Sequence, residues 1–436
     1  MKIKKRETSA IIEALNGGLV PRRGIQHIMV GRTKEAKQVM SELEQVKEGS
    51  SIVKFFIGDF GSGKSFIQAL TKQYAHTLNF VVTTADFAPG KRLYGNDGQS
   101  QSLYTELMKN LSTPTSPEGG ALSVVIDMWI TSVQQYVQEQ KGYSGIDPAN
   151  MNFSREVENE ITKRISSMDE LPGAYDFSRV LSKYYQGFVT GESDLQRKAL
   201  RWMRGEYGTK MEANREIGVR DIINDQNYYS YLKVLTSFMR EVGYAGLVIN
   251  FDEAINLYKI NHSQVREKNY ETILSMFNDC LQGTFEGLYL TFAGTQEFLQ
   301  DERKGLYSYG ALKRRLITNP YETAEYRDLS QPAIILAPLK HEEIFVLLQT
   351  IRAIHAKFHN YEEKVSDEDI KGFIQNIYSM PGAEEYTKVG HVARKFISGL
   401  NILEQNPEAP VSVVFDEASV ENNETEDTLM SRFSST

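Results

Sequence analysis

Residues 57–66 read IGDFGSGKSF, and positions 58–65 meet the pattern G-x-x-x-x-G-K-[ST] at every required place. The chemistry in that spacing is anion binding. Glycines let successive backbone N–H groups turn to one side and form a concave nest for phosphate oxygens. A helix starting near Gly63 adds the positive end of its dipole. Lys64 is placed to neutralise β- and γ-phosphates, and the Ser65 hydroxyl to ligate Mg2+. The residues expected to hold a nucleotide such as ATP are therefore Gly58, Asp59, Phe60, Gly61, Ser62, Gly63, Lys64, Ser65 and Phe66. The competing explanation is a glycine-rich turn that matches by chance. It is countered by the flanks. Residues 52–57, IVKFFI, read as a buried strand, and Phe66, Ile67, Leu70 and Tyr74 then recur at helical spacing.

A phosphate cradle needs a metal anchor and a base. In the stretch YAGLVINFDEAINLY, residues 247–251 read as a strand interrupted only by Asn250, with Asp252 and Glu253 at its end. Open α/β sheets place their ligands at that end of a strand. Asp252 is expected to hold Mg2+ through water, and Glu253 to polarise an attacking water as general base. By itself such a stretch is also what a solvated acidic turn looks like. Residues 285–299, FEGLYLTFAGTQEFL, form another strand whose exit carries Thr295, a candidate sensor of the γ-phosphate or a plain strand terminus. In YSYGALKRRLI, Arg314 and Arg315 could reach a neighbouring subunit's phosphate, although paired arginines on a helix also make a solvated face. Arg394, in TKVGHVARKFISGL, could contact the nucleotide from a helical lid.

These side chains need elements to position them. Strands alternating with helices predict an α/β fold with a parallel sheet covered on both faces. Lys64 and Asp252 stand almost two hundred positions apart. A few tens of residues would suffice to bring the acidic strand beside the loop strand. The excess, residues 115–240, is expected to be a mainly helical insertion, with Leu122, Val125, Trp129 and Val133 on one helix face. The expected divisions are 1–114 (first part of the ATPase core), 115–240 (insertion), 241–335 (second part of the core), 336–410 (helical lid) and 411–436 (tail). The tail packs six acids between Asp416 and Asp427 without a base and reads as disordered or partner-dependent. Within the insertion, residues 195–220 hold seven Lys/Arg against three Glu, with Trp202 and Tyr207 interleaved. That composition could touch DNA, or it could be a solvated helical face.

Composition bounds the rest. The 436 residues are 41% hydrophobic and 24% charged, which is ordinary for a globular chain of two or three domains. A net charge of −8 argues against a basic nucleic-acid binder as a whole. A single cysteine, Cys280, excludes an intramolecular disulfide and suits a cytoplasmic address. The sequence predicts no signal peptide, and it shows no internal repeat and no apolar run approaching the roughly 18 residues of a membrane span.

Taken together, ALNGGLVPRRGIQHIMVGRTKE, FFIGDFGSGKSF, DGQSQSLYTELMKNLST, PEGGALSVVIDMWI and LVINFDEAINL resemble AAA+ ATPases of the initiator-like kind. More narrowly, the chain resembles the ATP-binding proteins of BREX phage-defence systems over most of residues 1–400. The resemblance implies an AAA+ P-loop ATPase core, ATP and Mg2+ as ligands, defence-system partner proteins and an ATP-dependent homo-oligomer. It also implies that VPRRGIQHIMVGR encloses adenine, with Ile28 and Val30 near the base. Three functions stay open on these grounds: an ATP-hydrolysing switch or motor in a DNA-surveillance complex, an ATP-holding assembly module with negligible turnover, and a loader that oligomerises on DNA. No helicase motif set is evident.

Overall fold

The structure, a computed structural model, describes residues 3–166, 168, 171–283, 285–323, 326–379 and 388–417. Two helices, α1 (Lys5–Asn16) and α2 (Thr33–Lys47), precede β1 (Ile52–Ile57). The glycine loop leads into α3 (Lys64–Thr77) and β2 (Val81–Asp86). Then come α4 (Gln99–Lys109), α5 (Leu122–Lys141), α6 (Met151–Ser166), α7 (Ala174–Thr190), α8 (Ser193–Met203), α9 (Lys210–Ile217) and α10 (Tyr228–Val242). The next strand, β3 (Leu247–Asp252), is followed by α11 (Ile255–Tyr258) and α12 (Ser263–Leu281). After β4 (Leu288–Gly294) come α13 (Gln296–Gln300) and α14 (Gly310–Leu316). A short β5 (Ala333–Ile335) precedes α15 (His341–His359), α16 (Asp367–Ser379), α17 (Val389–Gln405) and α18 (Val411–Glu417).

The sheet has five parallel strands in the order β2-β3-β4-β1-β5, the arrangement of an α/β protein and consistent with a P-loop ATPase core. This corrects one expectation. The acidic strand β3 does not lie beside the loop strand β1, because β4 lies between them. Its register sets Ile57 opposite Gly294 on one side and Phe251 opposite Phe292 on the other. Strand order is a property of pairing between distant segments, and nothing local in either strand encodes it.

The chain divides into two compact units. One comprises Gln38–Ile57 and Thr71–Ile334 and holds the sheet. Its strands are apolar on both faces, as parallel strands covered by helices must be. Phe55 of β1, Phe251 of β3, Phe292 of β4 and Phe87 just past β2 form a stacked cluster, with centroid separations of 5.0 to 6.4 Å. Asn250, the polar break in β3, is buried, and its Oδ1 accepts from the Thr291 hydroxyl on β4 at 2.7 Å. A buried amide without a partner would cost roughly 1–3 kcal/mol, so Thr291 is what allows Asn250 into the strand. The helical stretch between β2 and β3 packs in sequence, α5 on α6, α6 on α7 and α7 on α8. Leu122, Val125, Trp129 and Val133 are all buried on the inner face of α5, and Trp129 meets Phe238 edge-on.

The other unit comprises Met1–Lys37, Gly58–Leu70 and Ile335–Thr436. Its core joins Ile11, Ile12 and Leu15 of α1 to Leu348 and Ile351 of α15, Phe373 of α16, Phe396 and Leu400 of α17 and Phe415 of α18. Phe373, Phe396 and Phe415 form a three-ring cluster with centroids 5.2 to 5.4 Å apart. The acidic tail from residue 418 onward lies outside the described residues.

Candidate functional site

The loop between β1 and α3 is built by the conformations its glycines permit. Gly61 and Gly63 have φ of +85° and +88°, in the left-handed region that side chains with a Cβ disfavour. Gly58 is required for a different reason: a Cβ there would lie 2.5 Å from the Ser62 hydroxyl and 2.7 Å from the Leu336 carbonyl oxygen. Alternation of right- and left-handed residues directs N–H groups into one concavity. α3 starts at Lys64, so the loop also meets the positive end of a helix. The Lys64 ammonium reaches back over the loop, donating to the carbonyls of Gly58 at 2.8 Å and Asp59 at 2.9 Å, with the Phe60 ring 5.4 Å away. Phe60 itself is 58% exposed, whereas Phe66 packs against the helical core of this unit.

Four further observations belong to the same unit. Arg32 is buried and donates to the Ser62 carbonyl at 2.8 Å, to Gly31 at 3.2 Å, and to Ala337. Lys388, just ahead of α17, lays its aliphatic stem on the loop: a Cβ on Gly61 would sit 3.0 Å from it. Sequence reading passed over both residues. The signal for Arg32 was a cation immediately before the first turn of α2, where the helix dipole repels it. Ile28 is buried in the helical core and Val30 packs against that core, so both residues share an apolar environment with Phe66. Arg394 is exposed on α17 near the turn that ends α1.

In the sheet unit, Asp252 closes β3 and Glu253 follows in a left-handed conformation with φ +55°. A non-glycine residue holds that conformation only where its surroundings over-determine it. They do here. The Glu253 N–H donates to Asp252 Oδ1 at 2.7 Å, Ala254 N–H to the Ala293 carbonyl at 2.9 Å, and Asn256 Nδ2 to the Phe87 carbonyl at 2.7 Å. The turn is thus pinned to both neighbouring strands. Asp86 ends β2 directly opposite Asp252. Partial burial, then the carboxylates of Asp252 and Glu106, push the Asp86 pKa up, with Lys91 acting against them. Thr295 is buried at the exit of β4, and its hydroxyl accepts from the Phe298 N–H at 3.4 Å as the cap of α13. A hydroxyl used as an acceptor still has its proton to donate. Asp252, Glu253 and Thr295 therefore share the C-terminal edge of adjacent strands. On α14, Arg314 is exposed, and Arg315 turns back to donate to the Ala311 carbonyl at 2.9 Å.

The basic stretch 195–220 is more self-paired than its composition implies. Arg197 and Lys198 both bind Asp194, Arg201 binds Glu212, and Lys210 binds Asp221. Trp202 and Tyr207 are buried rather than interleaved on a surface, with Trp202 Nε1 donating to the Asp221 carbonyl and Tyr207 donating to Glu216. Their spacing on α8 and the turn after it served the core. Cys280 is buried, and burial followed by the charge of Asp279 pushes its thiol up to about 12, which removes it as a nucleophile near neutrality.

A sequence profile described as BREX system ATP-binding protein BrxC/D matches residues 3–419. The chain belongs to that family. The glycine loop and the pinned Asp252-Glu253 turn both fall inside the matched stretch. The family's description supports an ATP-binding role in BREX defence for this BrxC/D-family chain. No curated protein matches it. No helix among the described residues is long and apolar enough to cross a membrane.

Proposed function

We propose that this BrxC/D-family chain is an AAA+ ATPase that works as a nucleotide-driven switch or motor in a BREX DNA-surveillance complex. The observation that carries the proposal is the glycine loop held in nest geometry; a strained acidic turn held by its neighbours in the sheet unit supports it separately. Either could be a turn by itself; strain retained at Glu253 argues for use. In this reading Gly58, Gly61, Gly63 and Lys64 hold the triphosphate, and Ser65 and Asp252 hold Mg2+. Such an ion keeps several waters and takes oxygens from the phosphates, so one hydroxyl and one carboxylate suffice from the protein. When bound, Mg2+ neutralises charge on the phosphates. Glu253 accepts the proton of the attacking water, and Thr295 donates to the γ-phosphate. Residues 115–240 form a helical insertion, 336–410 a lid carrying Arg394, and Ile28 and Val30 flank adenine. Arg314 extends from one subunit toward its neighbour's phosphate, and Arg315 joins it on release from Ala311. Within residues 195–220, any DNA contact falls to charged heads, because Trp202 and Tyr207 are internal.

Calorimetry and steady-state turnover test this. Lys64→Ala abolishes ATP binding in a folded protein. Glu253→Gln keeps ATP bound and slows hydrolysis by about 10² or more, the usual size of a general-base contribution. Wild-type protein that binds ATP without turnover would make it a nucleotide-holding assembly module instead. ATP affinity unchanged in Lys64→Ala would refute the site.

A further inference from the structure

The geometry points to Arg32 as a positioning residue that sets the phosphate loop before any nucleotide arrives. Arg32 is 6% exposed, and its guanidinium lies on the side of the loop to which the Ser62 carbonyl points. It donates to the carbonyls of Ser62 at 2.8 Å, Gly31 at 3.2 Å, and Ala337 at 2.5 Å. The three carbonyls come from three segments: the turn before α2, the phosphate loop, and the stretch that leads from β5 to α15. A planar fork with several fixed donors can hold several carbonyls at once; an ammonium cannot hold them in the same directions.

The consequence follows from peptide geometry. The described peptides are trans, so the carbonyl of Ser62 and the N–H of Gly63 point in opposite directions. Fixing the Ser62 carbonyl onto Arg32 therefore turns the Gly63 N–H the other way, into the concavity. Gly63 has φ +88°, a region a glycine can leave easily, so the loop needs an external hold to keep that N–H aimed. Arg32 provides it. Its Nε also lies 3.8 Å from where a Cβ on Gly63 would stand, which puts a buried positive charge close behind the nest. Low-dielectric surroundings keep that charge unscreened, and it adds to the field an anion meets. The cation's position next to the first turn of α2 is unfavourable for the helix, and the three carbonyls offset that cost. Arg32 also joins the loop to the leader of α15, so displacement of that leader would be felt at Ser62.

This rests on the reading of 58–65 as a nucleotide loop. The test uses the full chain with Arg32→Gln and Arg32→Lys. ADP affinity is measured by calorimetry, amide deuterium exchange is followed over 58–65 without nucleotide, and urea midpoints are recorded. In Arg32→Gln, ADP affinity falls about 10- to 100-fold, the range of a charge-assisted hydrogen bond converted to a binding ratio. Exchange in the loop speeds up in the same variant, and Arg32→Lys recovers part of both. A lowered urea midpoint with wild-type ADP affinity in the folded fraction would reduce Arg32 to a structural strut and overturn the proposal. Weaker ADP binding with loop exchange at the wild-type rate would make Arg32 a direct ligand and overturn it too. Failure of wild-type protein to bind ADP or ATP would instead strike at the nucleotide reading itself.

Discussion

Beneath the sheet lies a buried ion pair whose worth can be worked out. Lys54, in the middle of β1, is 1% exposed, and its ammonium is 2.5 Å from Glu42 of α2, itself 4% exposed. Lys54 also donates to the carbonyls of Leu329 at 3.0 Å and Ser330 at 3.2 Å, and Tyr289 of β4 donates to Glu42 at 2.8 Å. At an effective dielectric constant of about 20, charges this close attract by about 7 kcal/mol. Taking each ion out of water costs several kcal/mol, so the pair is nearly neutral against an apolar pair. The Lys54 pKa has the same signature: burial pushes it down, and Glu42 pushes it back up. Breaking the pair is another matter. Glu42→Met leaves a buried ammonium, and Lys54→Met leaves a buried carboxylate; each should cost about 3–5 kcal/mol. Glu42→Met with Lys54→Met should cost no more than about 1–3 kcal/mol, the orphaned Tyr289 hydroxyl being the main loss. The double variant is thus more stable than either single one. Trp129 and Trp202, the chain's two tryptophans, are both buried in the sheet unit, so their fluorescence in urea reports the relevant transition. Additive losses, or single losses below about 1 kcal/mol, would refute the charge argument.

Acid should weaken the sheet unit through His76. Burial first, and then the charge of Lys72, depress its pKa to about 4, with Ser112 acting the other way. Because the unfolded imidazole titrates near 6.5, the unfolded state binds the extra proton between the two values, and stability falls as pH drops from about 6.5 to 4. The loss is at most about 3 kcal/mol, and His76→Gln should show a smaller change in urea midpoint between pH 7 and pH 4.5 than the wild type; equal changes would clear His76 of the effect. For assembly, replacing Arg314 and Arg315 together should lower turnover while sparing ATP affinity, and mixing that variant with Glu253→Gln should restore part of the activity. Turnover independent of protein concentration, with no such complementation, would favour a monomeric switch.

The parts of this protein that could be read from sequence are those whose causes are local. The IVKFFI strand, the glycine loop and the amphipathic start of α3 each follow from spacing within a few residues, and β1 spans the same six residues that pattern gives. The order of strands could not be read that way, and β4 came between the two motifs. Lys54 sat unnoticed inside an apolar run because its partner, Glu42, is on another element. Asn250 looked like an interruption until Thr291 was seen across the sheet. Trp202 and Tyr207 looked like a surface pattern because burial depends on what packs above a helix, and the sequence of that helix alone does not say. Arg32 carried a faint local sign, a cation ahead of a helix start, but its purpose lies in carbonyls 30 and 305 positions away.

The grouping of the glycine loop with α1 and with the helices from α15 onward has a consequence for biosynthesis. α1 buries Ile11, Ile12 and Leu15 against helices that begin at His341, more than three hundred residues later. At about 5–20 residues per second, the ribosome needs roughly 15 to 65 s to supply those partners. Through that interval only early residues of its own unit, such as Ile28, Val30 and Phe66, are available to cover the apolar stripe of α1. The sheet unit is completed at Ile334, only a few residues before α15 begins at His341. The glycine loop is thus made long before the helices from α15 onward that belong to its unit. A nascent chain would carry the glycine motif for most of its synthesis without the helical frame that holds it, and the early helix would be a natural client for a chaperone.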